Sequence, residues 1–118
     1  MDSVVPADIL GVRVTEHGPE IRIIAVTGEL DALSAPVLAS VLTEALATAR
    51  VVVVDLDGVQ YLASVGLRVL IEAIYFAADH DRELLVVCHS PSVNLVFEGS
   101  GLREHFTFAD SVALALRR

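Results

Sequence analysis

Apolar and polar residues alternate through "GVRVTEH", and "EIRIIAV" resumes after "HGPE", where Gly18 and Pro19 suit a tight reversal. The chain therefore predicts an opening hairpin. Leu38, Val41, Leu42, Ala45 and Leu46 then recur at helical spacing behind Ser34 and Pro36, a helix-start pair. "VVVVDL" is a short β-branched run, better suited to a central strand covered on both faces than to an exposed one. After Ser64, an apolar stripe of Leu67, Leu70, Ile71, Ile74 and Ala78 predicts a second helix, with Arg68, Glu72, Tyr75 and Asp79 opposite. "ELLVVCH" reads as another buried strand. "SPSVNLVFEGSGL" reads as a third, short helix, with Ser90 as cap, Pro91 at the first helical position and Gly101 near the stop. "HFTFAD" suggests a brief edge strand, and Asp110 a cap for a last helix through Leu116.

Strands alternating with helices after a hairpin predict an α/β fold: a mixed, largely parallel sheet backed by about four helices, because parallel neighbours need crossovers. The 118 residues show no linker or repeat, so one domain over 1–118 is expected, large enough for its own core. Cys88 is the only cysteine and lies in an apolar run, which fits an inert buried thiol in a reducing compartment. "MDSVVPADIL" matches no secretory signal and no stretch approaches the ~20 apolar residues of a membrane span, so a soluble, cytoplasmic protein is expected.

Charge narrows the partners. Sixteen carboxylates face eight arginines, with no lysine, for a net charge of -8. Such a surface repels phosphate backbones and attracts basic partners. Direct nucleic-acid or membrane binding is not expected.

Searches for catalytic chemistry return little. The chain has no G-x-G-x-x-G, no Walker lysine and no G-x-S-x-G elbow, and His17, His80, His89 and His105 lack paired ligand spacing. Asp55 and Asp57 form a close carboxylate pair without a second cluster, which fits shaping the loop that follows. No catalytic residue, cofactor or metal is expected. What remains is the junction before the second helix, "DLDGVQYLASVGL". A helix start offers unpaired N–H groups and a favourable dipole to an anion, and Gly66 leaves room near Ser64. A serine there is also a favoured N-cap, worth about 1 kcal/mol over alanine. From these residues alone, the cap is the simpler reading.

Three stretches, "VTGELDALSAP", "VVVVDLDGVQYLASVGL" and "VVCHSPSVNLVFEGSGL", are similar in order and spacing to the STAS domains of bacterial anti-sigma factor antagonists. The resemblance implies a mixed sheet with helices against it and a partner-switching function without catalysis. In it, the antagonist binds an anti-sigma factor, typically a GHKL-type serine kinase, and frees a sigma factor. Phosphorylation ends that binding and a PP2C-type phosphatase restores it. The position corresponding to the phosphorylated serine is Ser64. The same resemblance implies a partner surface of Glu29, Asp31, Asp57, Gly58, Tyr61, Ala63, Ser64, Val65, Gly66 and Arg68, on a monomer or weak dimer. The family pattern is Asp-Ser-Ser/Thr-Gly, whereas this chain has Ala63, Ser64, Val65, Gly66, without the preceding carboxylate and the neighbouring hydroxyl. Stand-alone STAS domains also serve transporter or lipid-trafficking complexes, or sense small ligands, which is the alternative function.

Overall fold

A computed structural model describes residues 2–5 and 10–117. The hairpin forms where the alternation places it, with β2 at Leu10–Glu16 and β3 at Ile21–Leu30 paired antiparallel around Gly18, whose φ of 74° suits glycine at the turn. A strand that the alternation did not reveal precedes it: β1, Asp2–Val5, pairs antiparallel with β2. Four residues are too few to show a period.

The remaining strands among the described residues are β4 (Val51–Leu62), β5 (Glu83–Val87) and β6 (Thr107–Phe108), and these six lie in chain order across one sheet. From β3 onward each neighbour is parallel, and the helices supply the crossovers: α1 (Ala35–Thr48), α2 (Ser64–Asp79) and α3 (Pro91–Ser100). The fold is thus the mixed, largely parallel α/β sheet that the pattern predicts, with α4 (Val112–Ala115) as the fourth helix. Alternate residues of the β-branched run serve two cores: Val52, Val54 and Leu56 pack with the α1–α3 layer, while Val51 and Val53 pack with Ala115 of α4.

Several expectations shift. Asp57–Tyr61 is strand rather than loop, since β4 runs on to Leu62 beside the equally extended end of β3. The pairing slips between Ala25 and Thr27 and again between Gly28 and Glu29, where Gly28 has φ 94°; these irregularities break the alternation that would have marked a strand. Along α2 the buried stripe is Gly66, Leu67, Leu70, Ala73 and Ala77, whereas Ala78 is exposed. Small residues fit there because the helix lies close over the sheet and beside α1. At the last helix Ser111, not Asp110, is the cap, and its hydroxyl accepts from the Leu114 N–H at 3.1 Å.

Candidate functional site

Parallel strands bring their carboxyl ends to one edge, and here β3, β4 and β5 deliver the starts of α1, α2 and α3 to it. In open α/β sheets this edge is the usual place for recognition.

The turn after β3 is held from within. One carboxylate oxygen of Asp31 accepts from the backbone N–H of Leu33 at 3.0 Å and of Ser34 at 3.1 Å. The Ser34 hydroxyl donates to the Glu29 carbonyl at 2.8 Å and accepts from the Asp31 N–H at 2.9 Å. Ser34 is only 3% exposed. These bonds account for local polar groups that would otherwise be buried unpaired.

At the end of β4, the Ala63 N–H donates to the Leu30 carbonyl at 2.9 Å, tying the α2 start to the β3 turn. Ala63 has extended backbone (φ -80°, ψ 163°) and is the N-cap of α2, so Ser64 is the first residue inside the helix rather than its cap. Alanine offers no side-chain oxygen, and among the described residues no side-chain cap hydrogen bond is made at this helix start. Ser64 is exposed. Gly66 is buried, and a Cβ on it would meet Leu30 and Leu62 at 2.7–2.8 Å; its lack of a side chain serves the close approach of α2 to the sheet.

A second bracket stands earlier on β4. Asp57 accepts from the His89 N–H at 2.7 Å, and the His89 ring Nδ1 lies 3.1 Å from each carboxylate oxygen. Asp57, by its hydrogen bond and then its charge, raises the His89 pKa above the ordinary imidazole value. Ser92 at the start of α3 donates to the Gln60 carbonyl at 2.9 Å, so β4 is tied to the β5–α3 junction as well. Burial pushes the Cys88 thiol pKa up, which disfavours the nucleophilic thiolate.

Glu29 lies opposite Tyr61 in the β3–β4 ladder, and both are exposed, Tyr61 by 53%. Asp57, Gly58, Ser64 and Arg68 are also exposed, while Asp31, Ala63 and Val65 are half-buried. The fold thus brings the β3 turn, the last part of β4 and the start of α2 together. Asp57 and Gly58 sit further back along the strand, and Gly66 faces inward. Two features had no counterpart in the sequence reading. The Asp57–His89 bracket spans residues 32 apart, beyond any local signal. Leu33, 85% exposed in the β3 turn, belongs to neither the strand period nor the helix period. An isolated leucine between turn formers was its only trace.

Among the described residues no group of His, Cys, Asp or Glu side chains is arranged to hold a metal ion, and no helix is long and apolar enough to cross a membrane.

Residues 13–115 match the family model of the STAS domain. The anti-sigma-B factor antagonist of Staphylococcus aureus (strain NCTC 8325 / PS 47) is 32% identical over 82 residues, 69% of this chain and 76% of that one. The crystal structure of an anti-sigma factor antagonist from Mycobacterium paratuberculosis superposes with a TM-score of 0.81 at 27% identity, over 92% of both chains. The phosphorylated form of the Bacillus cell fate determinant SpoIIAA shares the fold, with a TM-score of 0.71 at 17% identity over 91% of this chain and 97% of that one. On the family match, the identity and the shared topology together, this chain belongs to the STAS domain family, among relatives that are anti-sigma factor antagonists.

Proposed function

We propose that this protein is an anti-sigma factor antagonist: it binds an anti-sigma factor through the edge formed by the β3 turn, the end of β4 and the start of α2, and so releases a sigma factor. The anti-sigma factor is a GHKL-type serine kinase. It ends the interaction by transferring the γ-phosphoryl group of ATP to the Ser64 hydroxyl oxygen, leaving ADP, and a PP2C-type phosphatase restores the serine by hydrolysis. The observation that carries this reading is the exposure of Ser64 at the first position of α2, outside the cap and open to an enzyme.

The physics supports a switch without a shape change. A phosphoserine adds about -1.5 to -2 charges, and a helix N-terminus accommodates an anion that remains hydrated. Against a partner the same dianion must lose water, and an unpaired buried ion costs several kcal/mol. Each ~1.4 kcal/mol is a factor of ten in affinity. Glu29, Tyr61 and Arg68 act as partner contacts on this edge, with Asp57 and Gly58 further back along β4 and Ala63 and Val65 as the immediate neighbours of Ser64. Asp31 acts from behind, by fixing the turn.

The test is direct binding to the purified kinase-fold anti-sigma proteins of the source organism. Wild type and Ser64→Ala are expected to bind alike, and Ser64→Glu at least ~10-fold more weakly. Incubation with the bound kinase and ATP is expected to add one phosphoryl group at Ser64 by mass spectrometry. Binding by none of these proteins sinks the antagonist reading, and an unmodified Ser64 sinks the switch.

A further inference from the structure

Single exposed leucines are ordinary on protein surfaces. Leu33 differs in how it is held. Its side chain is 85% exposed and so gains little from the fold, yet its backbone is fixed on both sides. Its own N–H is bonded to Asp31, and the next residue, Ser34, is buried and tied to Asp31 and Glu29. Pro36 then stiffens the entry to α1. The turn is joined to the α2 start through Leu30, whose carbonyl accepts from Ala63, one residue before Ser64. A large apolar side chain is thereby presented to solvent on a turn that has already given up its freedom. Ordering such a group on binding costs little further backbone entropy, and a preorganised backbone favours affinity.

Its surroundings indicate what receives it. Glu29 is exposed on the same edge, Tyr61 is half in solvent, and the chain carries a net charge of -8. A complementary surface is basic at its rim and apolar at its centre. We infer that Leu33 is the apolar anchor of the anti-sigma factor interface, inserting into an apolar pocket that basic side chains of that partner surround. This inference rests on the proposed antagonist function and adds the residue that confers affinity where Ser64 confers switching.

The experiment is a calorimetric titration of the anti-sigma protein that wild type binds, with Leu33→Ser and Leu33→Met. Because the side chain touches little of the fold, both variants are expected to unfold at the wild-type temperature. Leu33→Ser is expected to raise Kd about tenfold or more, and Leu33→Met to stay within about threefold. Affinity is expected to fall as salt rises, as a basic rim requires. A Kd for Leu33→Ser within about twofold of wild type overturns the anchor, and a salt-independent Kd overturns the basic rim. A wild-type dimer by light scattering that becomes monomeric in Leu33→Ser assigns Leu33 to a second copy and overturns the inference. A wild type that binds none of the purified anti-sigma proteins overturns the antagonist reading before any substitution is made.

Discussion

Ser34 and Ser64 both stand at the start of a helix that follows one of two neighbouring parallel strands, Ser34 as the N-cap of α1 and Ser64 one position inside α2. Their surroundings are opposite. Ser34 is buried, and its hydroxyl reaches back to the Glu29 carbonyl and the Asp31 N–H rather than forward into α1. Ser64 is exposed and lies just inside an uncapped helix. One serine is committed to holding a turn, and the other is left available. Helix-start serines therefore divide by what surrounds the hydroxyl, and residue type alone does not sort them.

The sharpest way to break that contrast is to remove each hydroxyl in turn. Ser34→Ala leaves a part-buried carbonyl and N–H without their partner and is expected to lower unfolding free energy by about 1 kcal/mol or more. Ser64→Ala is expected to stay within about 0.5 kcal/mol, as exposed substitutions do. Denaturant unfolding of both variants checks the pair, and equal losses would erase the distinction. A smaller effect sharpens it from the other side. Ala63→Asp supplies a carboxylate at the cap position, whose backbone is already extended, and is expected to stabilise by about 0.5–1 kcal/mol. A midpoint that does not move would mean that α2 needs no cap.

The smallest expected effect concerns the other bracket. His89 has a raised pKa in the folded chain because of Asp57. A group with a raised folded pKa contributes its stabilisation fully below the unfolded value, about 6.5 for histidine, and loses it as pH rises through the folded value. NMR titration of His89 is expected to show a midpoint above the ordinary imidazole value, returning toward it in Asp57→Asn. An unchanged midpoint in that variant would remove Asp57 as the cause.

Much of this architecture is legible in the residues. Gly18 and Pro19 mark the hairpin, Ser34 and Pro36 mark α1, and Ser90, Pro91 and Gly101 bound α3, because each satisfies a local backbone demand where it stands. The continuation of β4 past Asp57 is not legible, since it depends on a pairing with β3 that slips twice and scrambles the two-residue period. The cap of α2 is misread for a related reason. Serine is the better capping side chain, but the extended backbone belongs to Ala63, and geometry outranks preference. Of the candidate site, Ser64 and the GELD stretch carry a recognisable pattern. Leu33 and the Asp57–His89 contact do not, because one is defined by exposure and the other by a contact across the fold.

The order of the strands has a consequence for how the molecule is made. Each of the six strands pairs with its neighbour in the chain, so none must wait for a distant segment or insert between two already in place. Pairing between chain neighbours keeps the sequence separation of strand contacts shorter than an order with inserted strands would, which favours faster folding. The edge carrying Ser64 is likewise built from segments that succeed one another in the chain: the β3 turn, then β4 and the α2 start, then His89 and Ser92, which tie β4 to the strand after it.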